Sequence, residues 1–576
     1  MSDKARYSLF RLYITKYFQL FSPRLLPNMT KRTIIIITII LSGEKPMKTL
    51  YFNGNIYTGD GFTHSLLVEN GVILAVGDAA AMRANGANAF DLEGRTVIPG
   101  LNDSHMHLYG VGTNIMSVQM LGSKSPEDVI ERGRKFIEAN NVPEGTYVTG
   151  RGWNQDYFEG EKRLLNRYDL DKISTKHPIV FRRACGHMLV CNSLALELSG
   201  VNKDTEACPG GAIDKDANGE PTGIFREHAM GMIEQFIPAK TVDEMAEIIA
   251  KAQEYAASYG ITSIQTNDIN DGNFMLMDAA YKKVVENGKA KCRVTQQSCF
   301  NTLVGFKEYL EAGFRMGNGN SPYRIGPLKL FVDGSLGART ALMRKPYADD
   351  PSTQGIECMS QETLDEFVRI ATEHKMQVIT HAIGDKAIEM VLDAIEKEGG
   401  ENNELRHGVV HAQITDKPLL ERFRKLNALC YAQPIFLHYD MHVVADRVGE
   451  ELANTSYNFK TLYDMGVRTS FGTDSPVEDL KTFDNIHCAV NRQDLKHYPE
   501  NGWVPSECFT VKEAIDCYTK EGAYASFEEY EKGTLEDGKF ADFVVLDRNI
   551  FEIDKADLIN TKVLMTVMGG EITYKA

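Results

Sequence analysis

Paired cysteines, net positive charge and long apolar runs are what this chain lacks, and each absence closes off a class of function. Its ten cysteines include no Cys-x-x-Cys pair, so neither a disulfide framework nor a structural zinc knuckle is indicated. A reducing, cytoplasmic setting is expected. The net charge of −16 argues against nucleic acid as a partner. The apolar run from Thr33 to Leu41 is too short for a bilayer-spanning helix, which takes about 20 residues, so no stable membrane span is expected. No Gly-x-Gly-x-x-Gly loop follows a strand, which removes the usual sign of a dinucleotide site.

What remains is an ordinary globular composition, 43% hydrophobic and 25% charged, long enough for a large barrel and a smaller domain. Residues 1–46 stand apart, with eight Lys or Arg against Asp3 and Glu44, about +6 by count. The run after Lys31-Arg32 has the length of a signal peptide's apolar core, but no Ala-x-Ala-like site follows. The expectation is an extension outside the mature protein, with Met47 favoured over Met29 as the start.

From Met47 the chain reads as short strands, Leu50 to Tyr57, Ser65 to Glu69 and Val72 to Val76, broken by Asn-Gly and Gly-Asp turns. Similar strands return at Phe543 to Leu546, Val563 to Val567 and Glu571 to Tyr574. Both ends are therefore expected to build one β domain, from 47–98 and 531–576. Between them strands alternate with helices. Thr241 with Glu244 and Thr510 with Glu513 read as capping boxes, and Gln361 to His374 reads as a helix before a strand at Met376 to Thr380. This rhythm predicts a (β/α) barrel over 99–530 with an insertion at about 125–239.

In such barrels the chemistry sits where strands meet their C-terminal loops. His105 and His107 follow Arg95-Thr96-Val97-Ile98 at i and i+2, a spacing that turns both rings to one side of an extended segment. His381, His411 and Asp474 each end an apolar run. Lys329 lies inside one, on the face of Phe331 and Asp333. Imidazole and carboxylate suit zinc and related divalent ions. A lysine ammonium has no lone pair, so Lys329 needs chemical conversion to ligate; its plain alternative is an ion pair with Asp333. His438 and His442 have helical ligand spacing, but Tyr439 stands where a metalloprotease helix needs glutamate. Gly313, Gly317 and Gly319 read as a turn cluster.

The ordered stretches Val97-Ile98-Pro99-Gly100 with Asp103-Ser104-His105-Met106-His107, Gly186-His187-Met188, Asp333-Gly334-Ser335, His381-Ala382-Ile383-Gly384-Asp385, His411-Ala412-Gln413, Gly472-Thr473-Asp474-Ser475-Pro476 and Gly533-Thr534-Leu535 resemble the amidohydrolase superfamily, narrowed to amidohydrolase family 3. Members of that branch include N-substituted formamide deformylases. The resemblance implies a distorted (β/α)8 TIM barrel with a small β-sandwich from both termini. It implies two Zn²⁺, one held by His105, His107 and Asp474 and the other by His381 and His411, bridged by Lys329 as an N-carboxylated lysine. Cys185-Gly186-His187 departs from the Asp-Gly-His common in related chains, which bears on substrate contacts and not on the ligands.

The implied reaction is attack by a metal-activated hydroxide on the carbonyl of a small amide-type substrate. Asp474 moves the proton, and His187 contacts the substrate or its oxyanion. Asp333 is expected to steer a substrate amine or brace Lys329, and Trp153, Tyr157 and Phe158 are weighed as pocket lining. The favoured substrate is a linear amide or formamide. The alternatives are a cyclic amide or a heterocycle for deamination, or a metal-free scaffold. A homodimer is the default assembly.

Overall fold

The computed structural model describes residues 48–399 and 402–576. The extension over 1–46 and its apolar run lie outside the described residues. Among the described residues no helix is long and apolar enough to cross a membrane.

Eight parallel strands form the central sheet: β1 (Leu101–Met106), β2 (Ile261–Thr266), β3 (Arg293–Cys299), β4 (Tyr323–Phe331), β5 (Val378–Ala382), β6 (Gly408–His411), β7 (Leu429–Ala432) and β8 (Thr469–Phe471). They run in that order, each hydrogen-bonded to the next, and helices between them cover the outside, as a TIM-like barrel requires. The helix Val242–Ser258 shows how the sequence directs this. Thr241 accepts from the Glu244 amide while the Glu244 carboxylate accepts from the Thr241 amide, the reciprocal cap that starts a helix. Met245, Ile249, Ala252 and Ala256 then face the core, and Gly260 at φ +83° turns the chain into β2.

The ends of the sheet meet at the top of the barrel. The Asp474 amide donates to the His105 carbonyl at 2.8 Å, and a Cβ on Gly472 would lie 2.6 Å from the His105 nitrogen. Only glycine lets the two backbones approach that closely. Below, the helix Lys520–Ala525 fills the barrel floor: Ala525 packs with Ile379, Val410, Leu429 and Tyr431.

Both chain ends build the flanking β unit. Thr96–Pro99 pairs antiparallel with Phe543–Leu546, with Val97 opposite Val545. This six-stranded sheet and a four-stranded one enclose Tyr51, Ile56, Val97, Phe543 and Val567. The single strand expected over Leu50 to Tyr57 is two, Lys48–Phe52 and Asn55–Tyr57, in different sheets. Asn53 at φ +56° turns the corner between them, a conformation asparagine tolerates well.

The segment after β1 carries a six-stranded sheet of its own, running from Val118–Gln119 to Pro221–Glu227. Its first strand lies upstream of Ser125 because it pairs with Val148–Trp153. Trp153 and Phe158 are buried in this unit's core with Phe181 and Leu165, and Tyr157 is exposed. The first two therefore pack the core of the insertion.

Candidate active site

The strand ends gather the titratable residues at one mouth of the barrel. His105 closes β1 from within, and His107 follows it at the start of the helix Leu108–Ile115. Lys329 lies on β4, His381 on β5 and His411 at the end of β6. Asp474 follows β8. His411 and Asp474 both sit at positive φ, 80° and 57°. Such backbone costs on the order of 1–3 kcal/mol per residue and persists where the surroundings hold it.

Oδ1 of Asp474 is the centre of this arrangement. It lies 3.5 Å from Nε2 of His105 and 3.3 Å from Nε2 of His107, and it is buried without a hydrogen-bond donor. His105, His411 and Asp474 bring one ligand atom each within 4.8 Å of one another. The His381 ring stands 4.4 Å from that of His411, centroid to centroid.

The outward ring atoms are all held. Nδ1 of His107 donates to the carbonyl of Asn267 at 3.0 Å, and Nε2 of His381 donates to that of Gly334 at 3.1 Å, because a carbonyl only accepts. Nδ1 of His105 meets Oε1 of Gln297 at 2.5 Å, and Nδ1 of His411 meets Oε1 of Gln433 at 2.8 Å. Three rings thus present Nε2 inward and His381 presents Nδ1. Held imidazoles beside an orphaned buried carboxylate oxygen are a fitting donor set for a divalent cation.

Burial sets the charge states. It pushes His105 and His411 well below the ordinary histidine range and His381 to about 3, with the Lys329 charge acting in the same sense. Burial also opposes charge on His107, but the nearby Asp474 carboxylate, helped by Asp268, outweighs it and holds its pKa above normal. Lys329 is fully enclosed, and burial lowers its pKa to about 8 against the pull of Cys299, Asp474 and Asp333. Its Nζ donates to the Leu330 carbonyl at 3.2 Å and stands over the Phe331 ring. Among the described residues it forms no ion pair, so the alternative of a pair with Asp333 is not what the fold builds.

Asp333 has another task. Its oxygens accept from the amides of Leu342 at 2.9 Å, Ile383 at 3.1 Å and Gly384 at 2.8 Å, and Oδ1 is 3.4 Å from Nε2 of His381. The side chain is closed to solvent, and burial raises its pKa to about 7. It fixes the loop after β5 and the His381 ring. β4 ends at Phe331, and the Asp333 carboxylate beyond it is taken up by backbone amides.

His187 is not gathered into the cluster. It belongs to the insertion, its ring is 72% exposed, and Nδ1 pairs with Glu227 at 2.9 Å. With Arg183, Cys185 and Arg226 it lines a cavity of about 740 Å³. His438 and His442 diverge to separate carboxylates, Glu478 and Asp494, each at 3.1 Å. Sequence reasoning missed Gln297, Gln433 and Asp103. Asp103 is fully buried and accepts from the Thr473 hydroxyl at 2.6 Å and the His105 amide at 3.2 Å, which ties β1 to the Asp474 loop. Polar residues in the interior run Thr295 to Ser298, and Gln433 just past β7, were the available signals.

The amidohydrolase family model matches residues 88–574. YtcJ of Bacillus subtilis (strain 168) is 33% identical over 540 residues, 92% of this chain and all of that one. The N-substituted formamide deformylase of Arthrobacter pascens is 26% identical over 553 residues, 91% of this chain and 98% of the enzyme. The crystal structure of an uncharacterized metal-dependent hydrolase from Pyrococcus furiosus superposes with a TM-score of 0.73 at 31% identity, covering 88% of this chain and 100% of the other.

Proposed function

This chain belongs to the amidohydrolase family, and from that premise we propose that it is a metal-dependent hydrolase that cleaves the carbon–nitrogen bond of a small linear amide or formamide. The observation that carries the reading is the orphaned Oδ1 of Asp474 facing Nε2 of His105 and His107. The likeness to the deformylase over 91% of the chain supports the substrate class. In this reading His105, His107 and Asp474 hold one Zn²⁺ and His381 and His411 a second, and the ions supply polarisation of the carbonyl and a more acidic attacking water.

The chain's own residues do the rest. Lys329, with its pKa lowered to about 8, exposes enough free amine near neutrality to add carbon dioxide. The new N–C bond would release one proton and leave an anionic carbamate, whose oxygens would be available as metal ligands. The Asp474 carboxylate would accept a proton from the attacking water and return it to the leaving nitrogen, so amine and acid depart with the proton count balanced. To His187 we assign substrate contact and not proton transfer, because it stands on the insertion with Glu227 as its partner.

The test is metal content per chain for protein purified with bicarbonate, beside Lys329→Ala, followed by a screen of formamides, acyl amines and cyclic ureides. Two ions in the parent, a clear loss in the variant and turnover of a linear amide are the expected result. One ion regardless of Lys329 favours a mononuclear deaminase, and no ion under any loading leaves a scaffold.

A further inference from the structure

We propose that Gln297 and Gln433 are positioning residues that fix the tautomers of His105 and His411, so that Nε2 of each ring is kept free for a metal ion. The inference rests on the metal-centre reading above and adds two residues to it.

The two ends of a carboxamide look alike in outline and are told apart by their partners. Nε2 of Gln297 lies 2.8 Å from the carbonyl oxygen of Ser104. A carbonyl only accepts, so that end is the amide nitrogen, and Oε1 is the atom turned to Nδ1 of His105 at 2.5 Å. Nδ1 must then carry the hydrogen. In the neutral ring, which burial favours, Nε2 is then the nitrogen left to offer a lone pair, and it lies 3.5 Å from Oδ1 of Asp474. The same chain of reasoning holds for Gln433. Its Nε2 donates to the Tyr431 carbonyl at 3.0 Å, so its Oε1 accepts from Nδ1 of His411 at 2.8 Å.

Neither amide can turn without breaking a second bond. Gln297 reaches from β3 past β2 to β1, and its own carbonyl accepts from Asn267 Nδ2 at 2.7 Å. Asn267 in turn accepts Nδ1–H of His107, so one network sets both rings of the His-x-His pair. All four groups, Gln297, Gln433, His105 and His411, are buried, which leaves no bulk water to replace a lost acceptor. As neutral amides the glutamines orient the rings without placing further negative charge in the barrel, where an unpaired carboxylate is costly. Outer partners of this kind typically tune metal affinity by 10- to 100-fold.

The experiment uses the full chain, stripped of metal and titrated with Zn²⁺ against a chromophoric chelator, with spectra of ¹⁵N-labelled histidine on the metal-free protein. Gln297→Leu and Gln433→Leu are expected to weaken Zn²⁺ binding about 10- to 100-fold and to shift one histidine each from the Nδ1–H toward the Nε2–H pattern. Gln297→Glu and Gln433→Glu, which keep an acceptor, are expected to keep the parent's tautomers. Where leucine impairs folding, Gln297→Asn and Gln433→Asn withdraw the amide by one methylene and give the same contrast. Unchanged tautomers or unchanged Zn²⁺ affinity in these variants overturns the proposal. If the parent binds no Zn²⁺, the metal-centre reading fails by itself, and the tautomer shift alone then decides whether the glutamines set the rings.

Discussion

Oδ1 of Asp474 lies 3.3 Å from Nε2 of His107, whose Nδ1 is already given to the Asn267 carbonyl. Two lone pairs at that distance repel unless a cation stands between them, so the pair holds either a proton or a metal ion. Burial works against the proton, but the Asp474 carboxylate holds the His107 pKa above its ordinary value. The proton is therefore resident in the metal-free protein below that raised pKa. Zn²⁺ must displace it, and affinity is expected to fall about tenfold per pH unit on the acid side. Calorimetric Zn²⁺ titrations in buffers of different ionisation enthalpy read the released proton. His107→Gln should flatten the dependence, and a pH-independent affinity in the parent would contradict this account.

Lys329 is a buried cation without an ion pair among the described residues, and its pKa is lowered from 10.5 to about 8. Between about pH 8 and 10.5 the unfolded chain binds the lysine proton and the folded one does not, so the metal-free parent gains stability as pH rises through that window. Lys329→Met lacks this titration. It is expected to unfold later than the metal-free parent at pH 7, by on the order of 3 kcal/mol, with the gap closing toward pH 10.5. Thermal unfolding of both proteins across pH checks it, and a gap that widens with pH would show the opposite sign.

Asp333 accepts from three backbone amides. Asp333→Ala leaves these buried donors unpaired and is expected to cost about 3–5 kcal/mol. Asp333→Asn, which keeps one acceptor oxygen, should cost less. Denaturant unfolding measures both, and a loss of activity at full stability would instead return Asp333 to the substrate.

Asp474→Asn removes the proton acceptor while keeping the shape of the side chain. The expected result is a fall in kcat of about 100- to 10,000-fold, together with weaker Zn²⁺ binding. Retained kcat at full metal loading would move the proton transfer to another group.

His187 and Glu227 pair on the insertion. His187→Gln is expected to raise KM severalfold with kcat and metal content unchanged. A fall in kcat at constant KM would place the ring at the reacting atoms instead.

Polar residues that end apolar strands made much of this site legible in advance. His381, His411 and Asp474 follow that rule, and so does Gln433, just past β7. Gln297 lies within β3, where the rule has no purchase. Its significance depends on reaching a strand that is not its neighbour, which one sequence does not state. Alternation does not fix the direction of Asp333, because it holds only while the chain stays extended and β4 stops at Phe331.

By itself the sequence determined the order of strands and helices, the β unit built from both ends and the set of histidines with Lys329 and Asp474. Those features follow from local periodicity, capping and residue chemistry, which are properties of short segments. Only the tertiary structure decided which ring nitrogen faces inward, that Lys329 goes without an ion pair, that Asp333 serves backbone, and that His187 stands on the insertion. Each of these depends on contacts between residues far apart in the chain, such as Gln297 with His105 and Asp333 with Gly384, and such contacts exist only once the barrel has closed.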